Sequence, residues 1–110
     1  MTQEESIKIF TDDNFHKEIE KGITLVDFHA VWCAPCRMLG PIIDQVVEQF
    51  KGKLKVGKID IDSEQKVATE YQVTSIPTLI FFKEGKEINR LVGLRDFSSI
   101  KEIVEKEIKE

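Results

Sequence analysis

The chain has 110 residues, 41% of them hydrophobic, which supplies one ordinary core that needs no metal or disulfide staple to fold. A formal net charge of −4 and a pI near 5.3, with no run of Lys or Arg, exclude a nucleic-acid or anionic-membrane surface. No apolar run approaches a membrane span and Met1–Ser6 carry acids in place of a signal's apolar stretch, so the sequence reads as one cytosolic domain over residues 1–110.

Ile7-Lys8-Ile9-Phe10 reads as a short strand. Thr11 follows as a helix N-cap with Asp12 and Asp13 in the first turn, where their charge suits the dipole. Phe15 and Ile19 mark the buried side of that helix, and Lys21-Gly22 ends it. Ile23 to His29 is nearly all apolar and β-branched or aromatic, as a central strand covered on both faces must be. Asp27 breaks the run. An acid there is desolvated, which raises its pKa toward neutrality and suits it to accept a proton. A buried pair with Lys58 that does no chemistry is the competing reading. His29 either points to the face of Asp27, toward the thiols, or lies solvated at the rim if the strand has already ended.

Trp32-Cys33-Ala34-Pro35-Cys36 holds both cysteines, where strand gives way to helix. A cysteine at a helix N-terminus meets unpaired backbone N–H groups and the positive end of the dipole, both of which favour the thiolate. Cys33 occupies that place. Two intervening residues put the cysteines one helical turn apart, so they can close a small disulfide ring. Pro35 suits the first turn, where its missing N–H has no acceptor to lose. A structural staple competes with redox chemistry, but so short a loop contributes only about 2 kcal/mol. A zinc site competes too, although His16 and His29 are the other soft or borderline donors and neither sits near a second Cys-x-x-Cys.

The following helix shows an apolar stripe at Leu39, Ile42, Ile43, Val46, Val47 and Phe50. Pro41 inside it implies either a kink or a restart of the helix. Leu54–Asp60 alternates as a strand, and Asp62 with Gln65 resembles a capping box for a helix through Val67, Ala68 and Tyr71. Thr78–Phe82 and Ile88–Val92 are two more strands, joined as an antiparallel hairpin by Lys83–Glu87. Asp96 caps a last helix whose Phe97, Ile100, Ile103, Val104 and Ile108 face inward. Strands alternating with helices indicate an α/β sheet with helices on both faces.

Val26-Asp27-Phe28, Trp32-Cys33-x-Pro35-Cys36, Pro41, Lys58-Ile59-Asp60, Ile76-Pro77-Thr78, Gly85 and Gly93 together resemble the thioredoxin family over nearly the whole chain. The resemblance implies a mixed five-stranded sheet flanked by four helices, the last two strands antiparallel. It implies a general protein disulfide reductase in which Cys33 attacks a partner's disulfide and Cys36 resolves the mixed disulfide. Asp27 and Lys58 would serve that chemistry. Trp32, Ala34, Pro35, Ile61, Ile76, cis-Pro77, Val92 and Gly93 would form the surface on which substrate lies. No cofactor or metal is implied on the chain itself, and electrons would come from NADPH through thioredoxin reductase. Implied substrates include ribonucleotide reductase, peroxiredoxin and methionine sulfoxide reductase, approached by a monomer. The chain departs from the family at Ala34 and Ser75, often Gly, and at His29, usually Trp. A docking subunit that uses the same surface without turnover is the alternative from another class.

Overall fold

A computed structural model describes residues 7–109. The acidic Met1–Ser6 stretch lies outside them. The elements run β1 (Ile7–Ile9), α1 (Phe15–Glu18), β2 (Ile23–His29), α2 (Ala34–Gln49), β3 (Lys55–Asp60), α3 (Gln65–Glu70), β4 (Thr78–Lys83), β5 (Lys86–Val92) and α4 (Phe97–Lys109). The sheet order is β1-β3-β2-β4-β5, with β1, β3 and β2 parallel and both β4 and β5 joined antiparallel.

β2 lies at the centre because its side chains satisfy both faces at once. Leu25 joins Val56, Leu79 and Phe81 beneath Leu39, Ile43, Val46 and Val47 of α2 and Ile100 and Val104 of α4. Val26 and Phe28 point the other way, into a cluster with Phe10, Phe15, Ile19, Ile59, Val67, Ile80 and Phe82. By the same alternation Asp27 and His29 continue the Leu25 face, beyond the point where α2's apolar stripe covers it.

Pro41 lies inside one continuous helix, so α2 does not restart. The β4–β5 connection is shorter than the five residues expected, since pairing runs to Lys83 opposite Lys86. That leaves Glu84 (φ 52°) and Gly85 (φ 84°) as the turn, both left-handed, the conformation a two-residue hairpin needs to match strand twist.

Two helix starts differ from expectation. Thr11 and Asn14 bond each other's backbone N–H through their side chains, so Thr11 closes a turn and α1 begins only at Phe15. Asp12 serves a different helix. Its carboxylate accepts from the N–H groups of Val67 (2.9 Å) and Lys66 (3.3 Å) at the start of α3, and its own N–H donates to Glu64 Oε1 (2.7 Å). With those donors satisfied across the fold, the Asp62–Gln65 capping box does not form, and Gln65 bonds the Asp62 carbonyl instead. The Asp96 cap does form, accepting from the N–H (3.0 Å) and Oγ (2.7 Å) of Ser99.

Candidate active site

Cys33 is the N-cap of α2, with extended backbone (φ −88°, ψ 110°). Its Sγ accepts the Cys36 N–H at 3.2 Å, one of the orphan donors of the first turn. Pro35, also in that turn, removes another donor outright. The cysteines are joined by a disulfide with Cα atoms 5.3 Å apart. Among the described residues, no group of three or more His, Cys, Asp or Glu is placed to hold a metal ion.

In this oxidised form both cysteines are nearly covered, packed with Ala30 and against Ile61 and Ile76. Exposure therefore does not separate them, but their surroundings do. Cys36 lines a cavity of about 350 Å³ with Asp27, His29, Arg37 and Lys58, and Cys33 is not among its walls.

Asp27 is 1% exposed and its Oδ1 has no hydrogen-bond partner among the described residues. Burial raises its pKa from 3.8 to about 6, against a smaller opposing pull from Lys58, its ladder partner on β3. His29 does not lie beyond the strand. It pairs with Asp60 as the last rung of the ladder, and its carbonyl accepts the Ile61 N–H at 2.9 Å. Of the two readings, the one in which the strand continues holds: half-buried His29 lines the cavity with Cys36. Burial is the largest influence on His29 and lowers its pKa; Asp60 raises it less, and Lys58 lowers it further. The largest of these influences favours the neutral ring.

Around the disulfide, Trp32 is 67% exposed and Val92 46%, while Ala34 and Pro35 are exposed and Ile61, Ile76 and Gly93 half-buried. The Ile76–Pro77 bond is cis, as the resemblance implied, and Pro77 is itself buried. Its loop is fixed at both ends: Thr78 Oγ1 donates to the Ser75 carbonyl (2.6 Å) and Gly93 N–H to the Pro77 carbonyl (2.7 Å). At Gly93 φ is 93°, which a side chain would resist.

Four neighbours escaped the sequence reading. Asp62 holds the Trp32 indole N–H at 2.8 Å, and Arg37 donates to the Val31 carbonyl at 2.9 Å. Val31 and Met38, one just before Trp32 and one in the second turn of α2, are apolar yet 74% and 61% exposed. Met38 carried a signal, being an apolar residue off the α2 stripe; the others carried none.

A family model described as Thioredoxin matches residues 6–106. The chain is 39% identical over 98 residues to a protein named Thioredoxin from Staphylococcus saprophyticus, covering 89% of this chain and 94% of that one. It is 38% identical over the same length to proteins of that name from Staphylococcus aureus.

Proposed function

The chain belongs to the thioredoxin family and is a protein-disulfide oxidoreductase whose redox-active group is the Cys33–Cys36 pair, and on that premise we propose how its residues divide the work. The observation that carries the reading is a disulfide closing the first turn of α2 with Cys33 as N-cap. On reduction, the Cys36 N–H and the helix dipole stabilise negative charge on Cys33 Sγ, which makes it the attacking thiolate.

Cys33 attacks one sulfur of a partner's disulfide, and the other leaves with the bonding electrons and takes a proton from water. Cys36 then gives its proton to Asp27 and attacks Cys33 Sγ, so the partner's second sulfur leaves reduced. Two electrons pass to the partner and the Cys33–Cys36 disulfide remains. Asp27 is fitted to this role by lying in the Cys36 cavity with a pKa near 6, and Lys58 beside it favours the carboxylate that must accept. Trp32, Ala34, Pro35, Ile61, Ile76, Pro77, Val92 and Gly93 form the substrate surface, with the Ile76 backbone available to an extended peptide.

The disulfide is returned to dithiol by NADPH through thioredoxin reductase. Substrates are disulfide-bearing proteins of the classes represented by ribonucleotide reductase, peroxiredoxin and methionine sulfoxide reductase. In this reading the chain works as a single-domain cytoplasmic monomer; among the described residues no helix is long and apolar enough to cross a membrane.

Insulin reduction coupled to thioredoxin reductase and NADPH tests the activity, and absence of turnover would sink it. Trapping tests the roles: Cys36→Ser accumulates a mixed disulfide with substrate and Cys33→Ser does not, whereas the reverse result exchanges the two cysteines.

A further inference from the structure

The proton that Asp27 takes from Cys36 must leave again, yet Asp27 is 1% exposed. Between its carboxylate and water lies the cavity walled by Cys36, Lys58, Arg37 and His29. Lys58 and Arg37 are donors without an acceptor site, so neither takes up a proton while charged. Asp60, opposite His29 on β3, has Oδ1 engaged by the N–H groups of Asp62 (2.8 Å) and Ser63 (3.4 Å). His29 is different in kind. It stands two residues from Asp27 on the same face of β2, at the last rung of the ladder, half inside the cavity and half toward solvent. An imidazole can accept a proton on one nitrogen and release one from the other.

We propose that His29 relays the proton between Asp27 and solvent, and so governs the Cys36 half of the exchange without touching either sulfur. The relay rests on the disulfide-exchange reading above. During resolution the proton passes from Cys36 Sγ to the Asp27 carboxylate, then across the cavity that both residues line to the neutral ring of His29, then to water. Reduction of the Cys33–Cys36 disulfide runs the path backward and delivers the proton that the departing Cys36 sulfur takes up. Burial acts on both groups, raising Asp27 to about 6 and lowering His29 from 6.5, so the buried carboxyl holds its proton near neutrality while the ring favours its neutral, proton-accepting form. Lys58 and Asp60 act on His29 in opposite directions, so its titration is governed mainly by the cavity.

Dithiothreitol reduces the disulfide without any protein partner, which separates this inference from the choice of substrate. Stopped-flow fluorescence of Trp32, the single tryptophan, follows that reduction from pH 5 to 9 in the native protein, His29→Gln and His29→Trp. Rates are divided by the dithiothreitol thiolate concentration, and imidazole is varied at fixed ionic strength. At pH 7 both variants should slow about tenfold, less than the roughly 10²–10⁴ that a group acting directly on the reacting atom supplies, and should recover as imidazole rises. The native rate should ignore imidazole. Variants with the native pH profile overturn the relay, because the proton then reaches water unaided. Variants slowed at every pH without imidazole rescue also overturn it, because His29 then only shapes the cavity. Normal dithiothreitol behaviour with no insulin reduction would remove the substrate reading and leave the relay standing.

Discussion

Replacing Asp27 by Asn tests whether the fold tolerates this carboxylate at a cost. In the folded chain burial raises Asp27 from 3.8 to about 6; at about 1.4 kcal/mol per tenfold change in affinity, the difference is about 3 kcal/mol. The sign follows from which state holds the proton more tightly. Because the folded pKa is the higher, the carboxyl supports folding fully below pH 3.8, and that support is lost as pH rises through about 6. Asn stays neutral throughout. Asp27→Asn should therefore gain about 3 kcal/mol relative to the native protein between pH 3.5 and pH 8, whatever constant offset the amide introduces. Urea unfolding of the oxidised forms at several pH values measures it, and at roughly 1–3 kcal/mol per molar the midpoints should separate by roughly 1–3 M at the alkaline end. The same variant should slow dithiol–disulfide exchange. A stability difference that stays constant from pH 3.5 to 8 would refute the desolvated carboxylate, and unchanged exchange from pH 6 to 9 would remove its role as proton acceptor.

Gly57 lies in β3 with the Phe10 ring pressed against its Cα, where any Cβ would overlap the ring; Gly57→Ala should cost about 1–3 kcal/mol in thermal unfolding, and an unchanged midpoint would mean the ring moves aside freely. Asp12→Ala should destabilise by about 1 kcal/mol through α3, although the residue sits before α1; an unchanged urea midpoint would dismiss the long-range cap. Asp62→Ala should release the Trp32 indole, with more iodide quenching of its fluorescence and under about 1 kcal/mol lost, and identical quenching would show that the bond does not restrain the ring.

What the sequence disclosed, and what it withheld, follows from the range of each interaction. β2 was legible from Ile23 through Phe28, with only its last rung at His29 left open, because a strand buried on both faces has almost every side chain chosen by the core. The same density made Asp27 conspicuous, since a charge inside an apolar run has no bland explanation in local structure. Cys33 and Cys36 were legible because their geometry is set within one helical turn. The α4 cap was local as well, three residues from donor to acceptor, and it formed as read. Asp12 and Asp62 were not legible. Each sits in a polar stretch where a carboxylate suits many partners, and each is claimed by a donor distant in sequence, 55 residues away for Asp12 and 30 for Asp62. Local capping rules assign such groups to the nearest helix, whereas the fold assigns them to whichever orphan N–H the packing brings within reach.

His29 lies between these cases. Its side of β2 follows from counting two residues on from Asp27, but whether that side is cavity or solvent depends on how far β3 runs alongside. Asp60 pairs with it and the Ile61 N–H closes on its carbonyl, so the ladder reaches one rung further than the apolar run of β2 required. That extra rung is what turns a rim histidine into a wall of the Cys36 cavity, and it is written in the neighbouring strand, not in the segment that carries the histidine.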